Sequence, residues 1–344
     1  MVIDVFNHFM PAAYLDRLAK LAPDHIAVTA FARLKPLVNV DARLHLLDQF
    51  GDLRQVISLA NPPLELVATP AQSPELARAA NDALAEVCRL HPDRFPAFIA
   101  SLPMNNVEAS LAEIDRAIRD LGARGIQVFT NVAGKPLSAP EFRPIFRRMV
   151  EHDLPVLVHP MRGREFADYA SEKSSESEIW FSFGWPYETT ACMTRLIYSG
   201  IFDEFPTLKV VTHHMGGMIP YFAGKIKLGF RQIFFGTPEQ NPLAQECGLK
   251  KPPIEYFKML YADTALGGVE AATRCGHAFF GTENCLFATD APFDPRGGRD
   301  LTGDTIRAID GLEVSAPERE KIFAGNARRL LKLDEAGKRS GPAG

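Results

Sequence analysis

Polar side chains stand where four short apolar runs stop. His8 follows VIDVFN, His159 follows PVLV, the pair His213–His214 follows LKVVT, and Asp290 follows CLFAT. Imidazole and carboxylate supply nitrogen and oxygen donors that suit a divalent ion such as zinc or manganese, with a position left open for water or substrate. One histidine or aspartate at a strand end is ordinarily a loop hydrogen-bonder. Several, each after its own apolar run, point to the C-terminal rim of a barrel, where strand ends carry the chemistry.

The elements that must position them alternate along the chain. Val2–Phe6 reads as a strand, closed by Pro11 at the start of a helix near Ala12–Leu21. An irregular excursion follows to Asn39, then a helix over Ala42–Phe50 and a second strand, Arg54–Leu59. Ser73–Leu90 carries Leu76, Ala80, Leu84 and Val87 on one face, the spacing of an amphipathic helix. Strands are expected at Phe95–Leu102, Gly125–Thr130, Pro155–His159, Leu208–His213, Lys258–Asp263 and Asn284–Asp290. Helices fall between them, over Val107–Leu121, Ala139–His152, Tyr187–Phe202 and from about Met218. Eight strands with intervening helices predict an α/β protein, a single (β/α)8 TIM barrel over 1–333 with a flexible polar tail over 334–344. Met161–Trp185 breaks the rhythm after the fifth strand and reads as a lid-like insertion.

Composition removes several classes. The 344 residues are 46% hydrophobic with a formal net charge of −4, and no dense Lys/Arg block marks a nucleic-acid surface. No apolar run reaches membrane-spanning length, and no leader peptide is recognisable. Cysteines 88, 192, 247, 275 and 285 lack CxxC spacing and read as reduced packing residues of a cytoplasmic protein.

Longer motifs carry a family resemblance: VIDVFNHFMP (2–11), RLHLLDQFGDLRQVISLANPP (43–63), PVLVHP (155–160), GWPYETT (184–190), FPTLKVVTHHMGGMIPYFAGK (205–225), LYADTA (260–265), CLFATDAPF (285–293) and GNARRLL (325–331). The chain resembles the amidohydrolase superfamily, in the branch of aminocarboxymuconate-semialdehyde decarboxylase. The resemblance implies a mononuclear metal held by first-strand histidines, the fifth-strand His159 and the eighth-strand Asp290. It also implies that His214, beside the glycines, works on substrate as acid, base or polariser. His213 is expected to point the other way on its strand and to be packed or hydrogen-bonded. Lys225 stands where relatives carry an arginine that reaches a substrate carboxylate, in some cases across a dimer interface. Lysine there gives a point charge without the bidentate fork, so carboxylate recognition is looser.

The departure from the family pattern is Phe6, where relatives have His or Glu two residues before the ligand His8. Phenylalanine cannot bind metal, which leaves His8, His159 and Asp290. Three ligands are either enough for a catalytic site or the remnant of one with weakened affinity. Glu188, the nearest motif carboxylate, reads better as a helix N-terminal residue.

With a metal as Lewis acid and His214 as proton donor or acceptor, the resemblance implies non-oxidative decarboxylation of an aromatic or unsaturated carboxylic acid. The alternatives are a hydrolase or hydratase of a lactone or ring-cleavage product, with His214 or Asp290 as base, or a metal-poor relative that only binds a ligand. Arg162 and Arg164 are further candidates for holding an anionic substrate. Trp185 belongs to a group with Trp180, Phe181 and Phe183 that suits an aromatic pocket or a partner subunit. A homodimer is expected, with no nucleic-acid or membrane partner.

Overall fold

Val2–Asp4 runs parallel to Leu53–Ile57, with Val2 beside Leu53 and Asp4 beside Gln55. The computed structural model in which this is seen describes residues 1–227 and 248–336. The third strand comes in two pieces because its pairing changes sides. Ala97–Phe98 bonds to the second strand, whereas Ala100–Ser101 bonds to the fourth, Ile126–Phe129. Val156–His159, Val210–Thr212, Tyr261–Asp263 and Cys285–Leu286 continue the parallel order as strands five to eight.

The sheet closes on the first strand. Val5 N donates to Phe287 O at 3.0 Å, Asp290 N to Phe6 O at 2.9 Å and His8 N to Ala291 O at 2.8 Å. The result is the (β/α)8 barrel expected from the strand–helix alternation. Its interior is filled by Ile3, Val5, Val56, Ile99, Leu157, Val211, Leu286 and their neighbours, all buried. Val210, Val156 and Val158 face outward into the larger core under the helices. The two sets follow from the period-two geometry of a strand buried on both faces.

The helices Ala12–Leu21 and Ser73–Leu90 match their expected bounds. In the second, Pro74 enters the first turn, and Leu76, Ala77, Ala80 and Leu84 form the buried stripe. Each fully buried leucine contributes about 1.5–3 kcal/mol. The excursion before Asn39 is not structureless: it holds the short turns Ile26–Thr29, Phe31–Arg33 and Lys35–Val38. A small antiparallel pair, Asn131–Val132 with Lys135–Pro136, follows the fourth strand. The helix expected from about Met218 and the tail expected over 334–344 run into residues outside those described, and Cys247 is also outside them. Cys88, Cys192, Cys275 and Cys285 are free thiols. No helix among the described residues is long and apolar enough to cross a membrane.

Candidate active site

His8, His159 and Asp290 meet at the floor of one cavity of about 520 Å³. His8 Nδ1 lies 3.1 Å from Leu59 O, and His159 Nδ1 lies 2.6 Å from Pro160 O. A carbonyl only accepts, so both Nδ1 atoms carry hydrogen and each Nε2 is the ring atom free for another partner. Burial, together with the neighbouring His8 and His213, holds the His159 pKa well below its usual value, so this ring is neutral.

His8 Nε2 stands 3.2 Å from Asp290 Oδ1. A lone-pair nitrogen that close to a carboxylate oxygen repels it unless a proton or a metal cation lies between them. Burial would raise the Asp290 pKa, but hydrogen bonds and charge from His214 and His8 outweigh it and hold the carboxyl far below the ordinary range. Two fixed imidazole donors and an ionised carboxylate are the donor types a divalent ion takes. Among the described residues, however, no three such groups already surround one point as a ligand set. Phe6, two residues before His8, supplies no donor.

Phe6 is fully buried among the histidines. Its ring centroid lies 4.7 Å from that of His8, 5.4 Å from His159 and 5.8 Å from His214. It stacks on His213 at 3.5 Å and 24°. His213 is thus packed and hydrogen-bonded, as expected, but it does not point away from the site, as simple alternation from His214 predicts. It shares the inward face of Val211, and its Nδ1 bonds to Asp263. Its Nε2 is enclosed without a partner.

The chain leaves the strand after Thr212 and turns at once. His214, Met215, Gly216 and Gly217 all have positive φ, as does Asp290. Left-handed backbone at a non-glycine residue is costly and tends to collect at functional sites. Gly217 is required by its neighbour: a Cβ there would lie 2.4 Å from Pro186 O. The turn brings His214 Nε2 to 3.4 Å from Asp290 Oδ2, while Asp263 Oδ1 accepts from His214 N at 3.0 Å. Burial lowers the His214 pKa, and the bond and charge of Asp290 more than reverse that, giving a net rise.

Behind the floor lies a buried polar network. Asp4 accepts from Thr289 Oγ1 at 2.6 Å, Gln55 Nε2 at 2.9 Å, and the backbone N–H groups of Phe6 and Thr289 at 3.2 Å each. Burial raises its pKa to about 6, against the pull of those donors and of Arg43. Arg43, also fully buried, donates to Pro36 O at 2.7 Å, to Gln55 Oε1 at 2.8 Å, to Asn7 Oδ1 at 3.3 Å and to the carbonyl of His8. The loop that carries His8 is thus tied down through its backbone.

The cavity walls are mostly apolar: Phe31, Pro62, Leu66, Trp180, Phe181 and Phe293 are among them. Trp185 lies on the wall, its ring 5.6 Å from His159 and its Nε1 donating to Arg162 O at 3.1 Å. Arg162 and Arg164 also reach the cavity. Arg162 is neutralised by Glu188 at 2.8 Å, so Glu188 is a partner of Arg162 and not an isolated helix-end charge. Arg164 Nε bonds only to Ser175 O, at 3.3 Å, and has no ion pair among the described residues. His214 lies beside the floor without lining the cavity, and Lys225 is exposed and away from it.

Sequence reasoning missed His25, Phe31, Asn61 and Phe293. Phe293 sits in the TDAPF run and was visible there. His25 and Phe31 come from the excursion, whose sequence has no periodicity to place them.

A metal-site barrel with its donors on the C-terminal rim is the class that this fold and floor define. The family profile described as Amidohydrolase matches residues 39–333, and the chain belongs to that family. It is 31% identical over 306 residues to the gamma-resorcylate decarboxylase of Rhizobium sp. (strain MTP-10005), covering 86% of this chain and 88% of that one. It is 31% identical over 300 residues to the 2-amino-3-carboxymuconate-6-semialdehyde decarboxylase of Dictyostelium discoideum, covering 86% and 77%. The crystal structure of dihydroxybenzoic acid decarboxylase from Polaromonas sp. JS666, with bound manganese and the inhibitor 2-nitroresorcinol, superposes with a TM-score of 0.78. That match has 26% identity and covers 99% of both chains.

Proposed function

We propose that this chain is a metal-dependent, non-oxidative decarboxylase of an aromatic carboxylic acid. The observation that carries the reading is an aromatic-walled cavity whose floor is His8, His159 and Asp290, in a chain related over most of its length to such decarboxylases. His8 Nε2, His159 Nε2 and the Asp290 carboxylate would hold the divalent ion, zinc or manganese. Bound there, the ion supplies Lewis acidity toward a substrate carboxylate or phenolate. Trp185 and its aromatic neighbours orient the ring and keep water out. Arg164 receives the anionic group farther from the floor, with Arg162 shared between substrate and Glu188. His214 carries the proton at Nε2 and gives it to the ring carbon as the bond to the carboxyl carbon breaks and CO2 leaves.

Met161–Trp185 serves as the lid over this cavity. The working unit is a homodimer, which the exposed Phe183, Tyr187 and Tyr221 support; Lys225 then serves the partner's cavity. Light scattering checks the assembly. The barrel over 1–333 acts as one domain with the tail over 334–344 appended, and the free thiols favour a cytoplasmic location.

A panel of hydroxybenzoates and muconate-type acids, followed by CO2 release, tests the reaction. At least one is expected to lose CO2 in a metal-dependent way. Lactone opening or hydration without CO2 would replace the reading with that of a hydrolase or hydratase.

Phe6 makes a separate prediction about the metal. Without a donor at this position, the wild type should surrender metal to a mild chelator. Phe6→His should hold it roughly 10-fold or more better, on the scale by which even outer partners tune affinity. Metal content after matched chelator dialysis decides this, and equal retention would show the ligand set to be wrong.

A further inference from the structure

Each wall of the active-site cavity is two aromatic rings deep. On one side the Phe293 ring centre lies 5.7 Å from that of His8, and Phe31 follows at 5.2 Å from Phe293. On the other, Trp185 lies 5.6 Å from His159, with Phe181 and Trp180 at 4.8 Å and 6.1 Å from Trp185. All five line the cavity. A substrate ring over the floor meets the inner pair, Phe293 and Trp185. The outer tier of Phe31, Trp180 and Phe181 stands one ring farther out and is left to meet something else.

The space agrees with that count. A cavity of about 150 Å³ already holds benzene, and this one has about 520 Å³. Its rim is apolar as well: Ile26, Leu66, Phe181 and Phe293 line it while remaining between 38% and 53% exposed. Large apolar side chains gathered at an opening mark a surface that a ligand covers. Phe183, Tyr187 and Tyr221, which support the dimer, do not line the cavity, so the rim is a separate surface from that contact.

The outer tier is built in place. Met10 N donates to Leu37 O at 2.7 Å, Arg43 Nε to Pro36 O at 2.7 Å, and Ala27 is buried in one cluster with Ala60 and Leu64. These contacts hold the segment that bears Ile26 and Phe31. Across from it, Ser175 Oγ accepts from Trp180 N at 3.0 Å and is itself bonded to Asp168 at 2.9 Å. Walls fixed before binding cost a ligand little in ordering.

We propose that the substrate is a two-ring aromatic acid. Its carboxylated ring lies over the floor. A second, apolar ring lies in the outer tier, between Phe31, Ile26 and Leu66 on one side and Trp180 and Phe181 on the other. Loss of CO2 from the first ring rests on the function proposed above, whereas the outer site does not.

Calorimetric titration of the full chain, with and without manganese, compares 2-hydroxybenzoate with its 4-phenyl and 5-phenyl derivatives. Burying a group the size of a Phe side chain corresponds to about a 10- to 150-fold gain in affinity. The better phenyl acid should gain by that factor in both conditions, because the outer rings lie apart from the metal donors. Ile26→Ser with Leu66→Ser, a double change at exposed positions, should weaken the phenyl acids about 10-fold more than 2-hydroxybenzoate.

Equal affinities of the one-ring acid and both phenyl acids would overturn the proposal and leave the rim to a second copy of the chain. So would a gain that the double variant leaves intact, and the wild-type comparison decides even if that variant fails to fold. Tighter binding of a phenyl acid without CO2 release from any acid keeps the two-ring site and ends the proposed reaction. CO2 release with no gain from a second ring does the reverse.

Discussion

Replacing His214 by alanine is expected to lower kcat by about 10²- to 10⁴-fold, the usual contribution of a positioned acid or base. Bound metal should stay nearly unchanged. The argument is positional: His214 touches only one oxygen of Asp290, at 3.4 Å, while His8 keeps the other at 3.2 Å. The ring also lies beside the three-residue floor, not within it. Truncation removes the proton and leaves the donors in place. Metal analysis alongside single-turnover kinetics checks both halves. Joint loss of metal and activity would move His214 into the ligand set and end its assignment as the proton carrier.

Arg43→Met should cost about 3–5 kcal/mol of stability, as breaking a buried charged network does. The methionine fills much of the space but leaves four acceptors, on Pro36, Asn7, Gln55 and His8, without their donor. The loss should also grow with pH. The Asp4 pKa is already raised to about 6 from 3.8, so the native state binds the extra proton and stability falls as pH rises between those values. Removing the Arg43 charge raises that pKa further and extends the fall above pH 6. Urea titrations at pH 5 and pH 8 should therefore show the larger deficit at pH 8. A deficit independent of pH would mean that Arg43 matters for packing alone.

Much of the barrel was legible because its signals are local. Leu76, Ala80 and Leu84 repeat at helical spacing, and the helix they mark runs Ser73–Leu90 as expected. The sequence predicts the eighth strand over Asn284–Asp290, but only Cys285–Leu286 pairs as a regular strand. Beyond it Ala288 N is held by the side chain of Thr264 at 2.9 Å, a bond no hydropathy pattern announces. His213 shows how alternation misleads once a strand stops: the left-handed turn at His214 and Met215 leaves both imidazoles near Phe6. Arg43 reads as an ordinary basic residue on a helix. Its burial depends on Asn7 and Gln55, and no short window holds all three.

The seam between the first and last strands has a consequence for how the molecule is made. Asp4 accepts a hydrogen bond from the backbone of Thr289, a residue 285 positions away. Such a contact is among the slowest to form, because the loop entropy must be spent before the bond returns anything. On the ribosome, His8 emerges early and His159 well before Asp290, so the nascent chain holds imidazoles with no carboxylate beside them. The floor exists only after the last strand docks. A truncated chain that stops short of Asp290 leaves the first strand with one neighbour and an open edge, a template for pairing with another chain.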